Sequence, residues 1–190
     1  MSIWSIEEMA KEVIQLIPDK SVVNLGIGLP SSLSDIETEK KIVVQSENGV
    51  LGVKGRPEQG TASPNIINAA KETISTDKGA SFFDSSLSFA MIRGGHIDVS
   101  VLGGMEVDIE GSLANWMVPG KKITGMGGAM DLVNGPKTII IMMTHFNKKN
   151  EEKLKKRCQL PLTGYSCVDY VVTDWGVFKP ENKKFKVIKL

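Results

Sequence analysis

The first clear pattern in the chain is a set of apolar residues at helical spacing: Ile6, Met9, Ala10, Val13, Ile14 and Ile17. Ser5 and Glu8 have the spacing of a capping box, in which each side chain binds the other residue's backbone N–H. Pro18, which cannot continue a helix, follows. The pattern predicts that the chain opens with an amphipathic helix.

Short apolar runs rich in β-branched residues predict buried strands. They cover residues 22–25, 42–44, 97–102 and 137–144. Helix-like segments at residues 64–74 and 85–93 lie between them, with Pro or Ser near their starts. A further stretch, residues 147–157, is rich in Lys and Glu and is interpreted as a solvated surface helix.

The alternation of strands and helices predicts an α/β fold class, with an open, mostly parallel sheet flanked by helices. Such sheets bind ligands in the crevice beyond the carboxyl ends of their strands. The length of 190 residues, with 41% hydrophobic and 24% charged residues, fits one domain that spans residues 1–190. Side chains that directly follow strands are therefore the first candidates for chemistry.

The charge balance identifies no macromolecular partner. Lys and Arg number 23 and Asp and Glu number 22, so a net charge of +1 supplies no field for nucleic acid or an acidic membrane surface. No apolar run approaches the roughly 20 residues that span a bilayer. The opening segment also contains three glutamates before position 13, which is unlike a signal or transit peptide. We therefore expect a cytoplasmic protein that binds neither nucleic acid nor membrane.

The few cysteines and histidines narrow the possible chemistry. Cys158 and Cys167 lack CxxC spacing, and His96 and His145 are the only histidines. A disulfide scaffold, a zinc site and a His-rich metal centre therefore have no support, and we expect no bound metal. The thiols are interpreted as reduced and structural, and His145 as a structural residue with a hydrogen-bonded imidazole. Carboxylates become the leading candidates for catalysis.

One carboxylate follows a predicted strand directly. Glu47 lies in the segment Ser46-Glu47-Asn48-Gly49, just after the apolar run at residues 42–44, and an Asn-Gly pair turns the chain sharply. A carboxylate at this point stands where α/β sheets place their sites. Glu47 is therefore a candidate catalytic group, although the same pattern also fits an exposed acid in an ordinary turn.

Glycine-rich segments could bring backbone amides close to a ligand. Residues 26–30 contain two glycines, but Ser31, the next residue, stands where a dinucleotide fingerprint has its third glycine. A tight turn with positive φ is therefore the simpler explanation of this segment. Turns that end elements likewise explain the pairs Gly94-Gly95 and Gly103-Gly104. The segment at residues 125–132 suits either an oxyanion hole or a flexible turn.

Four motifs in fixed order carry a resemblance to a known family. They are SENG at residues 46–49, FAMIRGGH at 89–96, ANWMVPGK at 114–121 and GMGGAMDL at 125–132. Together they resemble the B (β) subunits of family I CoA-transferases, most of all those of 3-oxoacid CoA-transferases. The match runs from about Val22 to about Phe178. It implies the α/β fold of this family, which is NagB-like.

The resemblance implies that Glu47 is the nucleophile. Its carboxylate would attack an acyl-CoA thioester to give a mixed anhydride and CoA thiolate, and the thiolate would then form a glutamyl–CoA thioester. The acceptor acid reverses these steps. Each step passes through an oxyanion, and the loop Gly127-Gly128-Ala129 is similar to the family's oxyanion-stabilising segment. Neither a metal nor a histidine base is needed.

The same resemblance assigns contacts with substrate or CoA to five further positions: Asn24, Lys71, Asn48, Trp116 and Ala129. Lys71 would act as a point charge for phosphate or carboxylate, and Trp116 would line the acyl or pantetheine channel. The residues alone also fit a turn-capping Asn24, a lysine on a surface helix and an aromatic in core packing.

One departure from the family pattern follows the nucleophile. Family members have a Gly-apolar-Gly-Pro run, whereas this chain reads GVKGRP at residues 52–57. Lys54 and Arg56 therefore add two positive charges, which we expect to lie near the site and to affect the choice of substrate.

The resemblance also implies partners. It predicts the A (α) subunit of a CoA-transferase as partner in an A2B2 heterotetramer, an acyl-CoA (succinyl-CoA or acetyl-CoA) and a small carboxylic acid such as acetoacetate. Coenzyme A is then a substrate, and no cofactor is expected. Another acid, such as 3-oxoadipate, butyrate or an amino-acid-derived 3-oxo acid, is an alternative. A non-catalytic ligand-sensing module on the same fold is a second alternative, because fold alone does not fix function.

Overall fold

The computed structural model describes residues 3–120 and 125–190. Its helices are α1 (Ile6–Leu16), a 3-10 helix (Leu29–Asp35), α2 (Ser85–Arg93) and the short α3 (Ala129–Leu132). Its strands are β1 (Ser21–Leu25), β2 (Ile42–Ser46), β3 (Val50–Gly55), β4 (Ser75–Phe82), β5 (Val99–Leu102), β6 (Glu106–Asp108), β7 (Leu113–Ala114), β8 (Thr138–Met142), β9 (Leu154–Lys155), β10 (Tyr170–Thr173), β11 (Gly176–Glu181) and β12 (Lys184–Lys189).

Within the described residues, nine strands form one sheet in the order β12-β11-β10-β8-β5-β1-β2-β3-β4, and β7, β6 and β9 form a smaller sheet. The central strands β10, β8, β5, β1 and β2 run parallel. The outer strands on both sides pair antiparallel. Tight turns join β2 to β3, β10 to β11 and β11 to β12, whereas residues 56–74 connect β3 to β4. The predicted α/β fold class is confirmed, with a parallel centre and antiparallel edges.

The opening helix forms as the sequence predicts. In the capping box of α1, the Glu8 N–H donates to Ser5 Oγ at 3.2 Å and the Ser5 N–H donates to Glu8 Oε2 at 2.7 Å. Lys40 Nζ donates to carbonyl oxygens at the end of the helix, those of Ile14 at 2.7 Å and Ile17 at 2.6 Å among them. The apolar side of α1 is buried against one face of the sheet.

The opposite face of the sheet is covered by α2 and α3. Asp84 caps α2 by accepting a hydrogen bond from the Leu87 N–H at 2.8 Å, and Gly94 ends it, so the helix matches the predicted bounds. Ile92 of α2 and Leu132 of α3 are buried against Ile139 of β8. In the part of the chain that the structure describes, no helix is long and apolar enough to cross a membrane.

The predicted helix at residues 64–74 is wrong. The segment turns back on itself, with an antiparallel bridge between Ile67 and Thr73. Asn68 Oδ1 accepts a hydrogen bond from the Glu72 N–H at 2.9 Å, and Lys71 has a φ of 65°. A helix is excluded because the asparagine side chain takes the backbone donor that a helical turn would use.

The predicted surface helix at residues 147–157 is wrong for the same reason. Asn147 Oδ1 accepts hydrogen bonds from the N–H groups of Lys149 at 2.8 Å and Glu151 at 3.0 Å, which folds the chain into a turn. The following residues form β9, which pairs with β6 in the smaller sheet.

The cysteines are free thiols and His145 is buried in the fold. Burial raises the pKa of Cys158 to about 12 and that of Cys167 to about 11. His145 Nδ1 lies 3.1 Å from Thr173 Oγ1, and its ring stacks on Trp175. Burial lowers the pKa of His145. These contacts agree with the structural interpretation of all three residues.

Candidate active site

The site is built at the carboxyl ends of parallel strands. β1, β2 and β5 lie side by side, so their ends meet along one edge of the sheet. Gly26 follows β1, Glu47 follows β2 and Gly103 follows β5. All three line one cavity of about 430 Å³, which residues 115–116 and 125–129 also line. We call this the Glu47 cavity; it lies at the sheet edge that the sequence predicts.

A tight turn presents Glu47. The Gly49 N–H donates to the Ser46 carbonyl at 3.0 Å, and β3 begins one residue later. Gly49 has a φ of 122°, and a Cβ there would collide with the Phe83 carbonyl oxygen, so only glycine fits. Ser46 Oγ accepts a hydrogen bond from the Ala69 N–H at 3.0 Å, which ties the end of β2 to the segment that follows β3.

Asn24 of β1 holds the Glu47 carboxylate. Its Nδ2 donates to Glu47 Oε2 at 3.2 Å and to Gln45 Oε1 at 2.8 Å. Gln45 Nε2 in turn donates to Ser88 Oγ of α2 at 2.8 Å. The sequence indicated Asn24 but neither Gln45 nor Ser88. The sequence signal that could have indicated Gln45 is its position, as a polar residue directly after the apolar run at residues 42–44.

The glycine-rich loop approaches Glu47 closely. A Cβ at Gly128 would lie 3.9 Å from Glu47 Cγ. The Ala129 N–H donates to the Met126 carbonyl at 3.2 Å, so this amide is already used. The N–H groups of Gly127 and Gly128 have no hydrogen-bond partner among residues 3–120 and 125–190. Gly127 and Gly128 are thus the better placed of the three predicted oxyanion residues.

Trp116 lies in the wall of the Glu47 cavity. Its Nε1 donates to the Leu162 carbonyl at 3.2 Å, which holds the indole in place. The neighbouring Asn115 also lines the cavity, and its Nδ2 donates to the Gly103 carbonyl at 3.0 Å. Lys121, at the end of the motif that contains both residues, lies outside the described residues.

Gly103 and Gly104 also line the cavity, which the sequence did not indicate. A Cβ at Gly104 would lie 2.7 Å from Ile141 Cγ2 and 2.8 Å from Met143 Sδ. Gly104 therefore allows the end of β5 to pack closely on β8 while the backbone forms part of the cavity wall.

Four charged or polar residues lie outside the lining of the Glu47 cavity. Lys71 is exposed in its turn, and Asn48 Nδ2 donates to the Ile67 carbonyl at 2.8 Å, which braces the turn. Lys54 is exposed on β3. Arg56 lines a neighbouring cavity of about 510 Å³, and its Nε lies 3.9 Å from Asp35 Oδ2. Neither Lys54 nor Arg56 lines the Glu47 cavity itself, and their effect on the choice of substrate stays a prediction.

The sequence and the fold match those of a known class of enzymes. The family model for Coenzyme A transferase matches residues 6–189. The chain belongs to this family, which confirms the resemblance found in the sequence and makes the protein a CoA-transferase.

Individual relatives agree with this assignment. The chain is similar to the B subunit of the succinyl-CoA:3-ketoacid coenzyme A transferase of Helicobacter pylori, with 51% identity over 97% of this chain and 89% of the relative. It is 49% identical to the beta subunit of the acetate CoA-transferase of Haemophilus influenzae, over 90% of this chain and 77% of the relative. The solved acyl-CoA transferase apoenzyme of Escherichia coli O157:H7 shares the fold at a TM-score of 0.74, 18% identity, and coverage of 99% of this chain and 38% of that chain.

Proposed function

We propose that the chain is the catalytic B subunit of a 3-oxoacid CoA-transferase. It would move CoA between succinyl-CoA or acetyl-CoA and a 3-oxo acid such as acetoacetate. The observation that carries the proposal is the position of Glu47, at the carboxyl end of β2 and in the wall of the Glu47 cavity. Asn24 holds one carboxylate oxygen there, and the other is left to react.

The proposed chemistry uses the Glu47 carboxylate as a nucleophile. Oε1 attacks the thioester carbonyl carbon, a C–O bond forms, and the C–S bond breaks so that CoA leaves as thiolate. The thiolate then attacks Glu47 Cδ, forms a C–S bond and expels the donor acid as its carboxylate. The acceptor acid runs the two steps in reverse. Coenzyme A is transferred from the donor acyl group to the acceptor acid, so it is part of the substrates and no cofactor takes part.

Oxyanions form in each step and need donors near Glu47. We assign this role to the N–H groups of Gly127 and Gly128, whose loop reaches the glutamate. Trp116 would contact the acyl or pantetheine group from the cavity wall. Ala129 also lines the cavity, but its N–H already binds the Met126 carbonyl.

Contacts with the rest of CoA are assigned to residues outside the cavity. Lys71 is exposed, which leaves its ammonium group available for a phosphate. Asn48 acts indirectly in this proposal, because its side chain braces the turn that carries Glu47.

We also propose that the active enzyme contains the A (α) subunit of a CoA-transferase, in an A2B2 heterotetramer. The names of the relatives, which call them B and beta subunits, support a second kind of chain. An open cavity in this chain agrees with a partner that completes the pocket.

The test is intact-mass analysis of the chain mixed with its A subunit in the presence of an acyl-CoA. The proposal expects a CoA adduct on this chain, located at Glu47 by peptide mapping, that disappears when an acceptor acid is added. A bound acyl-CoA without any covalent adduct would instead indicate the ligand-sensing alternative.

A second candidate substrate follows from the relative that is named an acetate CoA-transferase. A panel of acceptors decides between the candidates, with acetoacetate, acetate, butyrate and 3-oxoadipate compared by kcat/KM at one acyl-CoA concentration. The 3-oxoacid proposal expects acetoacetate to give the highest value, and a higher value for acetate or butyrate would replace it.

A further inference from the structure

Behind Glu47 lies a row of buried polar side chains in an apolar layer. Asn24 of β1 and Gln45 of β2 are partners in the strand register, and Ser88 of α2 covers Gln45. All three side chains are completely buried. Apart from this row and Ser100 of β5, the layer between the sheet and α2 contains apolar residues such as Ile92 and Ile139.

The donors and acceptors in this row can be assigned, because the groups that Asn24 contacts at the Glu47 end of the row only accept hydrogen bonds. An ionised Glu47 carboxylate and the Gln45 backbone carbonyl can accept but not donate. Asn24 must therefore turn Nδ2 towards them, at 3.2 Å from Glu47 Oε2 and 3.3 Å from the carbonyl. Gln45 Oε1 then faces Nδ2, and Gln45 Nε2 faces Ser88 Oγ, which accepts.

We infer that Gln45 and Ser88 are positioning residues, which fix the amide of Asn24 and through it the carboxylate of Glu47. The inference rests on the proposed function, in which Glu47 is the nucleophile. A rotated Gln45 amide would turn its Nε2 towards Asn24 Nδ2, so that two donors would face each other. Ser88 holds the other end of the Gln45 amide, because its oxygen accepts from Nε2. A hydroxyl can also donate, so Asn24 sets the orientation of the Gln45 amide and Ser88 fixes its position.

Fixing Glu47 Oε2 matters for each step of the transfer. Oε1 forms the bond to the acyl group and later leaves with the acid, whereas Oε2 stays on Cδ and becomes the carbonyl oxygen of the anhydride and of the thioester. Asn24 Nδ2 can thus bind the same oxygen from the free carboxylate to the glutamyl–CoA thioester. Holding that oxygen aims Oε1, because Cγ, Cδ and the two oxygens of a carboxylate form one rigid planar group.

The row is not explained by stability alone. Asn24 Oδ1 and the Ser100 hydroxyl on the adjacent strand β5 are buried, and neither has a hydrogen-bond partner in the described part of the chain. Each such group destabilises a fold, and apolar side chains of similar size would avoid this cost. The arrangement brings the Asn24 Nδ2 donor to Glu47, while Asn24 Oδ1 and the Ser100 hydroxyl stay unpaired among the described residues.

The test compares four variants, each combined with the wild-type A subunit. Gln45→Met keeps the length of the side chain but removes both hydrogen bonds. Ser88→Ala removes the acceptor, and Ser88→Thr keeps it while adding a methyl group. Ser100→Ala is the matched control, because it removes a buried hydroxyl from the same sheet face without breaking a bond of the row. Single-turnover formation of the CoA adduct, kcat, KM and Tm are measured for each.

We expect Gln45→Met to lower kcat and the rate of adduct formation about 10²-fold, with KM for the acyl-CoA within about twofold. Ser88→Ala should lower both rates about tenfold, and Ser88→Thr should restore them even if its added methyl lowers Tm. Ser100→Ala should react like the wild type.

Two results would overturn the inference. One is a folded Gln45→Met or Ser88→Ala variant that forms the adduct at the wild-type rate. The other is a change confined to Tm or KM, which would make the row structural or part of a binding site. If Gln45→Met does not fold, the comparison of Ser88→Ala with Ser88→Thr tests the inference. Failure of the proposed function would show differently, because the wild type itself would then form no adduct.

Discussion

Gly128 lies against the ring of Phe89, so that a Cβ atom at position 128 would come within 2.6 Å of Cε1 and Cζ of that ring. Its backbone conformation is ordinary, with a φ of −82°, so the requirement for glycine comes from space and not from dihedral strain. Phe89 belongs to α2, the helix that also carries Ser88. The glycine-rich loop is thus packed onto α2 at the point where it approaches Glu47.

This contact predicts the behaviour of Gly128→Ala. The added methyl must displace either the ring or the loop, which should destabilise the protein by about 1–3 kcal/mol. Moving the loop also moves the Gly128 N–H, so we expect turnover to fall by about 10²-fold. Melting curves and single-turnover adduct formation measure the two effects separately.

A second substitution separates packing from chemistry. Phe89→Leu in the same chain makes room for the methyl, so the double variant should recover its Tm and most of its turnover. Phe89→Leu alone is the control. If Tm recovers while turnover stays low, the methyl group obstructs the substrate, and the role of the amide must be assigned to Gly127.

Glu47→Gln tests the nucleophile directly. The amide oxygen can still accept the hydrogen bond from Asn24 Nδ2, so Tm should stay close to that of the wild type. An amide is a far poorer nucleophile, and turnover should fall by at least about 10⁴-fold with no CoA adduct. Glu47→Asp should be similarly inactive, because a shorter side chain misplaces the carboxylate. Near-normal turnover of Glu47→Gln, with deamidation excluded by mass, would remove Glu47 from the mechanism.

The sequence predicted those parts of the fold that depend on local signals. The capping box before α1, the acid and glycine around α2, and the β-branched runs of the central strands all act within a few residues. The position of Glu47 was also predictable, because it requires only a strand end in a parallel sheet.

The two wrongly predicted helices share a physical cause. Composition favours a helix in both segments, but Asn68 and Asn147 each bind the N–H of the residue four positions ahead. Such a side chain competes with the helical hydrogen bond, and the outcome depends on what the rest of the fold offers. The Gln45–Ser88 contact was unpredictable in another way, because it joins residues 43 positions apart that only the packing of α2 brings together.

The kinetics should be ping-pong. In the proposed mechanism the first acid leaves before the second attacks the glutamyl–CoA thioester, and both acids use the one Glu47 cavity. Double-reciprocal plots at several acceptor concentrations should therefore be parallel. Clearly intersecting lines, without an isolable covalent intermediate, would indicate direct transfer within a ternary complex.

The half-buried thiols predict a loss of stability in alkali. The pKa of Cys158 is raised to about 12 and that of Cys167 to about 11, mainly by burial, whereas an unfolded thiol ionises near pH 8.5. Above about pH 8.5 the unfolded chain therefore loses thiol protons that the native chain keeps. Because the native state then binds more protons, the free energy of unfolding must fall as pH rises, and it should continue to fall until the native thiols ionise.

The measurement is the free energy of unfolding by urea between about pH 8 and about pH 10.5, for the wild type and a Cys158→Ala, Cys167→Ala double variant. Lysine and tyrosine residues titrate in the same range, so only the difference between the two slopes reports the thiols. We expect the wild type to lose stability more steeply with pH. Parallel slopes would mean that the thiols ionise equally in both states, and that the contacts of Cys158, including its weak bond to the Ser112 carbonyl at 3.5 Å, do not keep it protonated.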